Sequence, residues 1–229
     1  MSKHFEREIE NLYSQLQSLF GNVEQMIDLA TRAIYERKSD QIETVLDTDA
    51  MINDMEVAIE EDCLKILALH QPVAMNLRRL ATIIKINVDL ERMADLACNI
   101  AERARDLNEY PYFPVPERLP GMARRSAEMV RMAIDSFVGS DAHLAKKVIQ
   151  CDESVDADNQ FIINELKELM KSDSSLVEPA LHCFSASRHI ERLADHAENI
   201  AEDVVYFVDG DIVRHKHGQF SLFNDPDKR

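Results

Sequence analysis

The segment Glu91–Glu102, ERMADLACNIAE, returns one hundred positions later as Glu191–Glu202, ERLADHAENIAE, with nine of twelve positions identical. A repeat at that spacing restricts a chain of 229 residues to a fold made of two like units. Other pieces recur in register. Ser39-Asp40 corresponds to Ser140-Asp141, and VLDTDAMIN (Val45–Asn53) to VIQCDESVD (Val148–Asp156). Between these markers the two halves differ in length by three residues, in the connection before the third helical segment of each.

The units are expected to be helical. Five glycines and no tryptophan, with abundant Ala, Leu, Glu and Met, favour helix over sheet. The first helix is expected from about Lys3 to Lys38. Ser39-Asp40 supplies an N-cap for a second, which ends near His70, and Pro72 sits in the first turn of a third that runs to Asn108. After Tyr110–Gly121, which holds four of the seven prolines, the scheme repeats. A fourth helix covers Glu117 to Val138, with Gly139 closing it. Ser140-Asp141 caps a fifth that reaches Lys171. Ser175 and Glu178 form a capping box for a sixth that ends at Gly210. The fold expected is all-α, six helices in two pseudo-symmetric three-helix bundles. The units are residues 1–109 and 122–210, joined by a proline-rich linker, 110–121, and followed by a polar tail, 211–229. One continuous long-helix bundle is the alternative, and the prolines argue against it.

The acids of the repeat are its informative part. At 100° per residue, Ile86, Leu90, Met93, Ala94, Ala97 and Ala101 form one apolar stripe. Glu91, Asp95, Asn99 and Glu102 lie about 100–180° from Leu90, and Glu191, Asp195, Asn199 and Glu202 take the same angles in the other copy. Packing explains the alanines but not the acids, because stacked like charges cost a helix a few tenths of a kcal/mol. The second helix of each half offers a further pair, Asp152 with Asp156 and Asp49 with Asn53. Oxygen clusters on rigid helices suit divalent or trivalent cations such as Fe, Zn, Mn or Mg. Asp49, Glu91 and Asp95 form one candidate site, and Asp152, Asp156, Glu191 and Asp195 the other. Asn99, Glu102, Asn199 and Glu202 are weaker candidates. The C-terminal set has one more charge, since Asn53 replaces Asp156. The plain alternative is a pair of solvated faces. Arg92 and Arg192 are read as surface ion-pair residues, Arg192 with Asp195, and His196 as a lone exposed histidine that could add a nitrogen ligand.

Composition excludes several functions. A net charge of −16 disfavours nucleic acid and anionic lipid as partners. The N-terminus has no apolar run of the secretory kind, and no stretch is long enough to span a bilayer, so a cytoplasmic protein is expected. The four cysteines, 63, 98, 151 and 183, form no CxxC pair and read as reduced thiols in helices. No phosphate-binding glycine loop, HExxH, ExxH or nucleophile elbow is present, so no enzyme is expected.

The doubled E-R-x-x-D segments, ERLADHAENIAEDVVYFVDGDIVRH and HQPVAMNLRRLATIIKINVDLERMAD resemble the PhoU family of bacterial phosphate-transport regulators over about residues 5–216. That resemblance implies two related three-helix bundles, usually dimeric, whose E(D)xxxD motifs hold metal clusters in some members. Here the motifs are Glu91/Asp95, Glu191/Asp195 and Asp152/Asp156, with Asp49/Asn53 a degenerate fourth. Where the family often has Asp-Leu-Arg, this chain has Asn76-Leu77-Arg78. The function implied is negative regulation of the phosphate-starvation response by a non-enzymatic adaptor. It would couple the ATPase subunit of the phosphate ABC transporter to a sensor histidine kinase. A metal store or a metal-dependent enzyme is the competing reading.

Overall fold

The computed structural model describes residues 3–210. Six long α-helices account for nearly all of them: α1 (Lys3–Glu36), α2 (Ser39–His70), α3 (Met75–Asn108), α4 (Leu119–Val138), α5 (Ala142–Ser172) and α6 (Val177–Asp209). A short 3₁₀ turn, Ser174–Leu176, precedes α6.

Periodicity builds the bundles. Along α1, Phe5, Ile9, Leu12, Leu16, Leu19, Val23, Met26 and Ala30 are buried at alternating spacings of four and three. That is the 3.5-residue repeat that keeps one seam against its neighbours in left-handed packing. Helices α1, α2 and α3 pack on one another, as do α4, α5 and α6, so each repeat is a three-helix bundle. The two bundles also share a core. Helix α3 lies along α6, and α1 along α4, so that these four form a ring with α2 and α5 on the flanks. Buried residues from Phe5 to Val205 make one cluster. At the centre, Ala94, Ala97, Ala101 and Ala104 of α3 and Ala186, Ala194, Ala197 and Ala201 of α6 are buried, and such small residues let helices approach closely. Tyr13 of α1 stacks on Phe137 of α4 at 5.1 Å across the same seam.

The helix ends depart from expectation in instructive ways. Ser39 is already helical, and Lys38 precedes it without a side-chain cap. The Ser39 hydroxyl instead accepts from Asn108 Nδ2 at 3.2 Å, tying the start of α2 to the end of α3. Helix α1 stops at Glu36 because Arg37 turns to φ 58°. Pro72 lies in the connection and not in the first turn of α3, which opens at Met75 after Ala74 at φ 50°, ψ −120°. Gly139 has an ordinary φ of −78°. Ser140 takes the left-handed position at φ 50°. Asp141 N donates to Ser136 O at 2.8 Å and Ser140 N to Phe137 O at 3.1 Å, the paired bonds of a Schellman closure. Asp141 does cap α5, accepting from the amides of His143 and Leu144 at 2.9 and 3.0 Å. The Ser175/Glu178 capping box does not form. Asp173 accepts from both the amide and the hydroxyl of Ser175 at 2.8 Å, because the 3₁₀ turn intervenes before α6. Gly210 closes α6 at φ 79°, as expected.

The proline-rich connection is pinned at several points. Phe113 is buried. The Arg37 guanidinium donates to the carbonyls of Leu107 and Phe113 and so satisfies the end of α3. Tyr112 at the tip is 97% exposed. Helix α4 opens at Leu119, inside the proline-rich stretch. All four cysteines are free thiols. The tail, 211–229, lies outside the described residues.

Candidate functional site

Each bundle brings the acids of its second and third helices together. In the C-terminal bundle, oxygens of Asp152 and Asp156 on α5 and of Asp195 on α6 lie within 4.8 Å of one another. The i,i+4 spacing stacks the first two, and the α5–α6 packing sets the third opposite them. Glu191, one turn before Asp195, is buried. Its Oε1 accepts from Arg188 at 2.6 Å. Glu191 Oε2 and Asp152 Oδ1 are buried and have no hydrogen-bond partner.

The charges of this cluster press on one another. Burial, then the charges of Glu198, Asp156, Asp195 and Glu191, push the Asp152 carboxyl up to about 7. Burial, then Glu202, Asp195 and Asp156, push Glu198 up to about 7. Asp195 and Glu191 are raised too, in each case by burial first and a neighbouring carboxylate second. A proton or a cation would relieve the repulsion between these oxygens. The donors are carboxylate oxygens, the set that hard cations prefer. The buried, orphaned oxygens of Asp152 and Glu191, beside the exposed carboxylates of Asp156 and Asp195, fit an ion held by these four residues.

The N-terminal cluster is differently furnished. Burial, then Asp95 and Glu56, raises Glu91, and burial, then Asp49, raises Asp95. Asp49 already has two donors. Asn53 Nδ2 lies 3.3 Å from Asp49 Oδ2. The Cys98 thiol, which burial and Asp49 push up to about 12, lies 3.6 Å from Asp49 Oδ1. Among the described residues, the N-terminal half has no group of three or more His, Cys, Asp or Glu ligand atoms as close together as the C-terminal one.

Several sequence expectations are corrected here. Asn99 Nδ2 bonds back to the Asp95 carbonyl at 2.7 Å and does not point into the cluster. Glu102 faces Arg103 at 3.4 Å. Asn199 is exposed, whereas Glu202 is buried beside Glu198. His196 is buried, not exposed, and its Nδ1 meets Asp89 Oδ1 of α3 at 2.8 Å, which leaves it a bridge between the bundles rather than a ligand. Lys85 and Asp203 make a second such bridge at 3.0 Å. The arginine that pairs with the motif is Arg188, not Arg192, which is exposed. Glu198 and Glu56 were not foreseen. Glu198 stands at one of the three mismatched positions of the repeat, opposite Cys98, and that mismatch was the signal.

Two fused three-helix bundles, each with an acid cluster between its second and third helices, define a class of duplicated helical scaffold without strands among the described residues. The PhoU domain matches this chain twice, over residues 16–104 and 119–204, and the chain belongs to the PhoU family. It is 38% identical to the phosphate-specific transport system accessory protein PhoU homolog of Pseudomonas aeruginosa, over 94% of this chain and 89% of that one. It is 32% identical to the accessory protein PhoU of Escherichia coli, over 95% and 90%. The crystal structure of PhoU from Pseudomonas aeruginosa superposes with a TM-score of 0.88 at 36% identity, covering 90% of this chain and all of that one. No described helix is long and apolar enough to cross a membrane.

Proposed function

We propose that this protein is a regulatory accessory of the phosphate transport system, acting in the cytoplasm as an adaptor without catalytic activity. The observation that supports the reading is its match, over nearly the whole length of both chains, to proteins named as accessories of the phosphate-specific transport system. In the finer form, the protein represses the phosphate-starvation response in high phosphate. It docks on the ATPase subunit of the transporter and on a sensor histidine kinase, and it works as a homodimer. Deletion of the gene should derepress phosphate-uptake and alkaline-phosphatase genes in high phosphate, measured by transcript level. Unchanged expression would remove the regulatory reading.

The C-terminal cluster supports a second part of the proposal. Asp152, Asp156, Asp195 and Glu191 hold a divalent or trivalent cation such as Mg²⁺, Mn²⁺, Zn²⁺ or Fe³⁺. The approach of three acid oxygens and the unpartnered oxygens of Asp152 and Glu191 favour this over a solvated face. The cation would neutralise the cluster and fasten α5 to α6. Metal analysis of the purified protein tests it, and no bound ion under any loading condition would sink it.

A further inference from the structure

Helices α2 and α5 hold equivalent places in the two repeats, yet their outward faces differ. Helix α2 carries nine acids and a single lysine, Lys65. Its exposed residues include six acids, Asp40, Glu43, Asp47, Asp54, Glu60 and Glu61, against Lys65. The exposed face of α5 is balanced, with Glu153, Asp156 and Glu168 against Lys147, Lys167 and Lys171. The outward face of α2 also shows large apolar side chains, among them Val57 at 50% and Leu64 at 54% exposure, with Met51 and Leu69. On α5 the large exposed apolar residue is Phe161.

These residues are ordered. On a helical projection Glu43, Asp47, Asp54 and Glu61 fall within about 40° of one another, opposite the buried line of Val45, Ile52, Ile59 and Cys63. Val57 and Leu64 lie on one shoulder of the acid line, and Met51, Ala58 and Leu69 on the other. Packing inside the chain does not require this pattern, since α2 packs on α1 and α3 through its opposite side. Helix α5 fills the equivalent position without it.

We infer that the outward face of α2 docks a basic amphipathic helix of a partner protein, one with a Lys/Arg line flanked by apolar residues. Charge complementarity decides the occupant. A second copy of this chain laid on the same face would set acid line against acid line, whereas a basic line is attracted at long range and leaves the shoulders to bury apolar area. The inference deepens the adaptor reading and rests on it for the occupant being a protein.

The test uses the full chain and a synthetic helical peptide with lysines between leucine shoulders, beside an isomer of the same composition in scrambled order. Binding is read by fluorescence anisotropy. The ordered peptide should bind about tenfold or more tightly than the scrambled one, with affinity falling as salt rises. Asp54→Lys/Glu61→Lys should weaken it by about tenfold or more. Val57→Ser/Leu64→Ser should remove the preference for the ordered peptide. Glu128→Lys/Glu168→Lys, an equal charge change on exposed residues of α4 and α5, should do neither. Equal losses in the α2 and control pairs would mean attraction to net charge alone and would overturn the proposal. So would a dimer that becomes a monomer in Val57→Ser/Leu64→Ser, which would make the face a self-interface. Tighter peptide binding after Arg214→Glu/Lys216→Glu would assign the face to the chain's own end, and would also overturn it. In cells, a deletion that derepresses while Asp54→Lys/Glu61→Lys does not would reject this surface and leave the adaptor reading intact. A silent deletion would reject the adaptor reading, with the peptide result still deciding the chemistry of the face.

Discussion

Asn53 donates its side-chain amide to Asp49 at 3.3 Å, whereas at the matching place the charge of Asp156 helps push the Asp152 carboxyl up. One exchange of amide for carboxylate thus leaves the first acid satisfied and the second short of a partner. The Cys98/Glu198 difference acts in the same direction, a weak donor beside Asp49 against a further charge beside Asp152.

Cation-dependent stability should therefore be concentrated in the C-terminal half. Thermal melts with Mn²⁺, Fe³⁺, Zn²⁺ or Mg²⁺ should show a stabilising shift, about 2.7 kcal/mol at one hundred times the dissociation constant. Asp195→Asn should lose more of that shift than Asp95→Asn. Equal losses, or no shift in the parent protein, would contradict the asymmetry.

The chelated protein should be more stable in mild acid than in mild base. The Asp152 and Glu198 carboxyls are raised from their ordinary values to about 7. A raised carboxyl favours the folded state when protonated. Its contribution is full below the unfolded pKa and is lost as pH rises through the folded one, a window from about 4 to about 7. Urea midpoints in excess chelator should fall across it, and Asp152→Asn should flatten the slope. A midpoint that rises with pH over that window would contradict the assignment.

The shared core predicts one unfolding transition, not two. Phe137→Ala removes the ring stacked on Tyr13 and packed beside Phe207. It should cost about 3–5 kcal/mol in urea while fluorescence and circular dichroism remain coincident. Two separated transitions in the parent protein would show that the bundles stand independently.

Limited proteolysis should cut first near the exposed Tyr112, giving two fragments of about half size. Arg37→Ala should speed the cut several-fold, because the carbonyls of Leu107 and Phe113 lose their donor. Early cleavage inside α2 or α5 would count against this reading.

The helices and their pairing were legible because burial repeats with period and the chain carries its plan twice. The caps were less so. Ser39 and Ser175 fit the one-dimensional pattern of a cap, but Asn108 and Asp173 take their hydroxyls. His196 looked exposed because its partner, Asp89, lies 107 positions away on α3. The acids Asp152, Asp156 and Asp195 could be grouped from spacing. That Asn53 leaves the other copy one charge short was legible from the same alignment, but that the Cys98 thiol lies beside Asp49 depended on side-chain directions that spacing does not hold.

Helix α6 runs unbroken for 33 residues. At 1.5 Å per residue that is a rod about 50 Å long. Asp195 lies near its middle. Near one end the Tyr110 ring lies 6.4 Å from that of His182, and at the other the Arg78 guanidinium lies against Gly210. Helices α3, α4 and α5 hold it along its length, so its two tips move as one piece. Two bodies resting on those tips would sense one displacement at the same instant and never need to touch.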